Sequence, residues 1–498
     1  MRLDEILSQR SRDLPDKVCI KFEKQRYTYA EINDQVGLMA GGLIHEGVGR
    51  GERVAILMEN SPGYIVSYFA ILRAGGIAVP INTMLTPEEI SYILGDSGAR
   101  LLIYSGGLSD KVRRVSERNA GVKVCLFDEM PQKVGTADGG GGDEDVAVLL
   151  YTSGTTGFPK GAMLTHRNLI SNADACMKAM HITHRDRVLL FLPLFHSFTF
   201  TVCVILPVYS GATIVMLPSV RPFSRVINSI FRERITFFIG VPTVYNILAK
   251  KRIPFPLRYV LRYLMSIKAC ISGAAALPVE TIYNFEKRFG VPLLEGYGLT
   301  EASPVVSVNP LDGLRKPSSV GPPIPGVEVA VVGEDGERVP PGVVGELIVK
   351  GPNVMKGYFN KEEATRETIR DGWLYTGDMA RIDEDGYIYI VDRKKDLIIV
   401  DGMNVYPREV EDQVLRLRGV EECAMVGVPD GRGSEVSVLF VRLKEGCQLS
   451  EGEIRGYLKG HLAPFKMPRR IRFVKDFPRT ATGKIKKTEL RKAELQGG

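Results

Sequence analysis

The chain has 498 residues, more than one hydrophobic core usually serves, so two or more domains are expected. At 44% hydrophobic and 25% charged residues it is not a largely disordered chain. A net charge of +7 suits small anionic ligands as readily as nucleic acid. The seven cysteines are scattered, which excludes a disulfide framework or a zinc motif and suits a reducing cytosol.

The first residues, Met1-Arg2-Leu3-Asp4-Glu5, lack an apolar signal region. Residues 53–57 predict a strand, 61–73 a helix and 76–81 a second strand. Thr86-Pro87-Glu88-Glu89 predicts a helix start, with Thr86 as N-cap, Pro87 in the first turn and Glu89 reaching back. Residues 101–104 predict a further strand. Alternating strands and helices imply a parallel sheet covered on both faces. The glycine-rich residues 135–142 predict a surface connection.

Next, the apolar run 146–150 predicts a buried strand leading into Tyr151-Thr152-Ser153-Gly154-Thr155-Thr156-Gly157-Phe158-Pro159-Lys160-Gly161. Glycines let a backbone turn tightly and aim N–H groups at an anion. The serine and threonine hydroxyls add donors, and Lys160 adds a mobile positive charge. This composition predicts a polyphosphate-binding loop, although the Gly-Lys-Ser/Thr ending of the common P-loop is missing. A plain surface turn is the alternative.

Between Arg187 and Arg221 there is no Lys, Arg, Asp or Glu. A membrane span needs about twenty uninterrupted apolar residues. Pro193, Pro207, Gly211 and His196 interrupt this stretch, so it predicts a buried helix and strand lining an apolar cavity. Further strands are predicted at 237–241 and 269–272. Small residues follow in Ser272-Gly273-Ala274-Ala275-Ala276, where a flat ligand could lie on bare backbone or a strand and helix could pack tightly. In Glu295-Gly296-Tyr297-Gly298-Leu299-Thr300-Glu301, Tyr297 offers an aromatic face. The Glu301 carboxylate suits magnesium, which prefers oxygen ligands, or is simply a solvated charge.

From Gly326 the texture is all-β, with strands predicted at 327–332 and 345–350. Asp378, in Trp373-Leu374-Tyr375-Thr376-Gly377-Asp378, is a candidate for a ribose diol. Val391-Asp392-Arg393-Lys394-Lys395-Asp396 is a charged break between apolar strands, and a domain boundary is expected there. Beyond it, helices over 409–417 and 454–462 and strands over 423–428 and 436–441 predict a small α+β domain of about one hundred residues. Bases crowd its end: Lys466, Arg469, Arg470, Arg472, Lys475, Arg479, Lys484, Lys486 and Lys487.

Together these stretches resemble the adenylate-forming superfamily of acyl-CoA synthetases, firefly-type luciferases and peptide-synthetase adenylation domains. The resemblance covers nearly the whole chain. It rests on the 151–161 loop, Tyr297-Gly298-Leu299-Thr300-Glu301, Tyr375-Thr376-Gly377-Asp378, Asp392-Arg393-Lys394-Lys395-Asp396 and Thr482-Gly483-Lys484, in the family's order. Val391 to Asp396 followed by Gly402-Met403-Asn404-Val405-Tyr406-Pro407 is most similar to bacterial long-chain fatty acyl-CoA ligases.

The resemblance implies an α/β fold. A large N-terminal region, residues 1–392, would hold layered α/β subdomains and a small β-barrel-like part. A hinge would span 393–396, and a small mobile α+β lid 397–498. It implies ATP, Mg2+ and coenzyme A as cofactors and co-substrate. Thr152, Ser153, Gly154, Thr155, Thr156, Gly157 and Lys160 would grip the β- and γ-phosphates, with Thr152 and Glu301 near the metal. Gly273, Ala274, Ala275 and Tyr297 would sandwich adenine, and Glu295, Gly296, Gly298 and Thr300 would also belong to the ATP site. Asp378 and Arg393 would hold ribose, and Lys484 would reach the α-phosphate and the fatty carboxylate. His196 would sit between acyl pocket and nucleotide, or be a satisfied core histidine. Lys395 would be the hinge and Gly402 would border the pantetheine tunnel; many relatives carry aspartate at the hinge.

The implied activity is ATP-dependent fatty acyl-CoA formation through acyl-AMP with pyrophosphate release. Alternatives are a ligase loading a carrier protein and a CoA ligase for aromatic or shorter acids. The expected partners are small molecules, without nucleic acid, because the basic end has few interleaved aromatics (Phe465, Phe473, Phe477). The protein is expected in the cytoplasm, as a monomer or homodimer. Peripheral contact with the inner face of a membrane through those bases is an alternative.

Overall fold

The computed structural model describes residues 1–133, 140–152, 159–250, 265–400, 403–429, 435–479 and 485–496. The chain divides into two compact units, Met1–Val329 with Val349–Tyr375, and Ala330–Ile348 with Thr376–Gly498. Residues 393–396 fall inside the second unit so divided.

Aliphatic runs in the first unit form two large sheets. One has seven strands in the order Gly357–Tyr358, Lys160–Thr165, Val146–Thr152, Ile77–Pro80, Arg53–Leu57, Leu101–Tyr104, Lys123–Leu126. From Val146–Thr152 to Lys123–Leu126 neighbouring strands run parallel, as the alternating pattern predicts, whereas Lys160–Thr165 is antiparallel to both its neighbours. The helix Pro62–Arg73, capped by Ser61, is buried along its length, which only an apolar segment tolerates. The helix Pro87–Ser97 starts with the predicted capping box. Thr86 Oγ1 accepts from the Glu89 N–H at 3.3 Å, and Glu89 Oε2 accepts from the Thr86 N–H at 2.8 Å. Ile90, Ile93 and Leu94 of this helix pack with Ala55, Val79, Leu102 and Leu149 of the sheet.

The other sheet has eight strands in the order Val305–Val308, Leu293–Gly298, Ala269–Ser272, Phe237–Gly240, Arg187–Leu190, Thr213–Met216, Val18–Phe22, Gln25–Thr28. The uncharged stretch supplies two of these strands. Between them run short helices, Ser197–Phe200 and Leu206–Ser210, joined by the wider π-type turn Thr201–Ile205. Pro207 at the start of the last helix and Gly211 after it keep the segment from forming one long span. Among the described residues no helix is long and apolar enough to cross a membrane.

A five-stranded sheet comprises Glu328–Val332, Gly345–Lys350, Trp373–Ile382, Ile369–Arg370 and Ile388–Arg393. The rest of the second unit has the hairpin Ile398–Val400 with Met403–Val405 and the sheet Val420–Pro429, Glu435–Leu443, Arg470–Phe473. Its helices run Pro407–Val414, Glu451–Lys459 and Lys487–Gln496, the first two beginning and ending before the predicted bounds. The shift has local causes: Pro407 fits a first turn, and Ser450 with Glu453 forms a capping box. Val410, Val414, Ile454 and Leu458 pack on Met425, Leu439 and Val441.

The imidazole of His166 ties the helix Leu3–Asp13 to the start of the helix His166–Met180, its Nδ1 accepting from the Leu3 N–H at 3.1 Å. It is 3% exposed. Burial pushes its pKa from 6.5 down to about 4, with Asp4 opposing and Arg2 adding to the shift. A depressed pKa contributes stability above the unfolded value, lost as pH falls from 6.5 towards about 4. The thermal midpoint of the wild type should therefore fall faster over that window than that of His166→Asn, whose amide keeps an acceptor for Leu3. The difference should reach at most about 3 kcal/mol. Parallel melting curves would assign the proton uptake elsewhere.

Candidate functional site

Four neighbouring parallel strands, Arg187–Leu190, Phe237–Gly240, Ala269–Ser272 and Leu293–Gly298, share one direction. Ligands of open α/β sheets bind beyond the carboxyl ends of such strands. There the chain delivers His196, then Gly273, Ala274 and Ala275, then the loop from Glu295 to Glu301. Ala274 has φ +69° and, with Ala275, is exposed. Tyr297 is half-buried between glycines that close backbone contact demands. A Cβ on Gly298 would lie 2.2 Å from Pro304 O, and one on Gly296 3.1 Å from Ser307 O.

Glu295 is buried, and its Oε1 accepts from the Leu277 N–H at 2.9 Å. That bond ties the small-residue loop after Ser272 to the next strand. Thr300 Oγ1 lies 3.2 Å from Ser197 Oγ, which links the loop bearing His196 to the loop bearing Glu301. His196 is half-buried, its ring 4.6 Å from that of Phe195.

Thr152 and Lys160 face each other across an antiparallel hairpin, so the loop between them begins and ends at one place. The short strand Gly357–Tyr358 pairs with the outer side of this hairpin. Its neighbourhood fastens the Glu301 loop: Glu301 O accepts from the Met355 N–H at 2.8 Å, and Ala302 O from Asn353 Nδ2 at 2.9 Å. Tyr358 donates its hydroxyl to Glu301 Oε1 at 2.8 Å. Lys160 Nζ stands 5.1 Å from the centroid of the same ring. Burial, then the Glu301 charge, pushes the Tyr358 phenol up, so it stays a donor.

Among the described residues no three His, Cys, Asp or Glu side chains cluster as a metal cage. Magnesium needs no such cage; it binds through one or two carboxylates plus substrate phosphates. A lone Glu301 with one oxygen fixed by Tyr358, and the Thr152 hydroxyl at the hairpin end, fits that mode.

Beside His196 lies a cavity of about 10 Å³ lined by residues including Tyr68, Leu150, Leu194, Phe195, Ser197 and Phe200. The Tyr68 and Phe200 rings are 4.0 Å apart. Such a space holds about one water.

In the second unit Asp378 is buried, with Oδ1 2.6 Å from Arg393 Nε across paired strands. Glu346 braces this place. Its Oε1 accepts from the Gly377 N–H at 3.1 Å, and its Oε2 from Lys394 Nζ at 2.7 Å. Lys395 lies in the turn Lys394–Asp396; burial lowers its pKa, Asp396 opposing and Arg393 adding. The crowded bases are mostly neutralised in pairs. Lys466 meets Glu409 and Lys487 meets Glu411, each at 2.7 Å; Arg479 meets Glu422 at 2.6 Å; Arg470 and Arg472 share Glu494.

Ser153, Gly154, Thr155, Thr156, Gly157, Gly402 and Lys484 lie outside the described residues. Sequence reasoning missed Tyr358 and Glu346. Tyr358 is 57 positions from Glu301, and no local pattern marks the pairing.

Residues 7–359 match the family model of the AMP-binding enzyme, and residues 409–484 that of the AMP-binding enzyme C-terminal domain. The chain therefore belongs to the AMP-binding enzymes. It is 36% identical over 99% of its length to a long-chain-fatty-acid–CoA ligase of Bacillus subtilis, covering 95% of that protein. It is 37% identical to a feruloyl-CoA synthase of an Amycolatopsis species, covering 97% of each chain. ATP-bound MatB from Rhodopseudomonas palustris superposes with a TM-score of 0.90 at 33% identity over 99% of each chain. The chain is an adenylate-forming acyl-CoA ligase.

Gly273 and Phe198 make a close contact at the mouth of the small-residue loop: a Cβ on Gly273 would lie 2.6 Å from Phe198 Cζ. Gly273→Ala must displace that ring. Overpacking of this kind costs about 1–3 kcal/mol, and the KM for ATP should rise about tenfold. Adding Phe198→Ala should recover most of the loss. Independent, additive penalties in steady-state kinetics would show that the contact does not shape the nucleotide site.

Proposed function

We propose that the protein joins a long-chain fatty acid to coenzyme A in two steps. A carboxylate oxygen attacks the α-phosphorus of ATP, the bond to pyrophosphate breaks, and acyl-AMP forms. The thiol of coenzyme A, losing its proton, then attacks the acyl carbon and AMP leaves. The observation that best supports this reading is the line Lys160, Tyr358, Glu301, which joins the hydroxyl-rich hairpin to the loop after Tyr297.

In this reading the 152–160 loop grips the outer phosphates. Gly273, Ala274, Ala275 and Tyr297 flank adenine, with Glu295 bracing the first loop. Asp378 and Arg393 take the ribose, and Lys484 takes the α-phosphate and the carboxylate. His196 separates acid from nucleotide. Magnesium, when bound, neutralises phosphate charge, and Thr152 and Glu301 are the residues that would hold it. Positioning and charge neutralisation then supply most of the rate. The small C-terminal region, turning about Lys395, would present Lys484 for the first step and the Gly402 stretch, beside pantetheine, for the second. The protein would act in the cytoplasm on small molecules.

A second reading takes an aromatic or shorter acid. The aromatic side chains Tyr68, Phe195 and Phe200 that wall the cavity beside His196 support it. A long chain would have to push these rings aside.

Purified protein given ATP, magnesium and an acid series from acetate to oleate, with aromatic acids included, should release AMP and pyrophosphate with a maximum among long chains. A maximum at ferulate or benzoate would favour the second reading, and ADP with orthophosphate would overturn both. Transfer of labelled acyl groups to a carrier protein in preference to coenzyme A would change the acceptor. Lys484→Ala should slow adenylate formation about 10²–10³-fold while sparing thioester formation from pre-made acyl-AMP; equal losses would refute the two-step lid. Asp378→Ala should raise the KM for ATP about 10–100-fold with little change for the acid, and equal losses toward both would remove it from the ribose site.

A further inference from the structure

We infer that Tyr358 is a positioning residue that holds the Glu301 carboxylate and the Lys160 ammonium apart, each turned to its own task. Its hydroxyl donates to Glu301 Oε1 at 2.8 Å, while Lys160 stands 5.1 Å from the centre of its ring. The inference rests on the reading of Glu301 as the metal-binding carboxylate.

The residue is itself rigidly held. Its N–H donates to Thr365 Oγ1 at 2.8 Å, and Thr365 Oγ1 donates to Lys361 O at 2.9 Å. Its strand is in register with the hairpin, Tyr358 opposite Ala162 and Gly357 opposite Met163. The Lys356 and Phe359 N–H groups donate to Met163 O and Gly161 O at 2.9 and 2.8 Å. The phenol is buried, so its orientation is set by the backbone rather than by solvent.

A carboxylate and an ammonium that meet the same tyrosine would quench each other if they paired instead. Among the described residues Lys160 makes no ion pair. The aromatic ring takes the ammonium on its face, an attraction usual within about 6 Å. The phenol hydroxyl takes one carboxylate oxygen, which fixes the plane of the group and leaves Oε2 for a cation. Outer partners that orient a ligating carboxylate typically govern metal affinity by about 10–100-fold.

The test compares Tyr358→Phe, Tyr358→Leu and Glu301→Gln with the wild type, all as full chains. Manganese binding to the ATP-loaded protein is read by electron paramagnetic resonance, and the adenylation half-reaction is titrated with magnesium. Tyr358→Phe should weaken manganese binding about tenfold, leave the acid KM unchanged, and recover its adenylation rate at saturating magnesium. Because Phe keeps the ring face, its ATP affinity at saturating metal should match the wild type, whereas Tyr358→Leu should lose affinity there as well. Manganese affinity within twofold of wild type in Tyr358→Phe, with Glu301→Gln clearly weakened, would overturn the role of Tyr358 alone. No weakening in either variant would overturn the metal role of Glu301 and this inference with it.

Discussion

An acid anion must be brought against a polyanion, and that repulsion is the constraint behind the arrangement of the site. Two unit charges about 4 Å apart repel by about 4 kcal/mol at an effective dielectric of about 20, and a triphosphate carries several. The residues that answer it are donors and cations. In the proposed reading Thr152 and Lys160 answer it from the ends of the hairpin, and the candidate metal carboxylate from the loop after Tyr297; in the second unit the Arg393 guanidinium stands beside Asp378. No covalent nucleophile is required by this chemistry. The fold has only to hold charges in place.

Two sheets hold them in the first unit, for different reasons. Parallel strands all end on one side, so loops that follow adjacent strands converge without any long-range sequence signal. That explains why His196, Gly273 and Glu301 belong together although they are far apart along the chain. The other sheet contributes a hairpin, whose two strands return to one point and so fix the ends of a loop rich in glycine. Residues 353–358 then join the two systems through backbone and side-chain bonds to Glu301 and Ala302. Ser197 and Thr300 make a second, shorter tie within one sheet's loops.

What was legible in the sequence is what is local. The loop at 151–161 announces itself by composition, and the capping box at Thr86 by spacing. The uncharged stretch showed itself as buried rather than membrane-spanning through its prolines and glycine. Pairings across the fold were not legible. Tyr358 reads as an ordinary tyrosine, and Glu346 as one acid among many, until the strands that carry them are in register with their neighbours. The pairing of the basic C-terminal end was not legible either. Counted along the chain it is a charge patch, but Glu409, Glu411, Glu422 and Glu494 fold back onto it and leave a weaker field for an anionic surface.

The acid's identity is hard to read for a further physical reason. Recognition of phosphate and ribose uses directional bonds from few residue types, so motifs record it. Recognition of an acyl chain uses shape, and in the proposed reading that shape depends on how side chains such as Tyr68, Phe195 and Phe200 pack rather than on which are present. One methylene in an apolar pocket changes binding by only about 1–3 kcal/mol, so small shifts of a ring redirect chain-length preference. The π-type turn Thr201–Ile205 lies directly after Phe200 and widens the helix there. Such turns occur often at functional sites, and a change of register in this one would move Phe200, Thr201 and Ile205, all of which line the cavity. Relatives named for a fatty acid and for ferulate are about equally similar to this chain, at 36% and 37% identity.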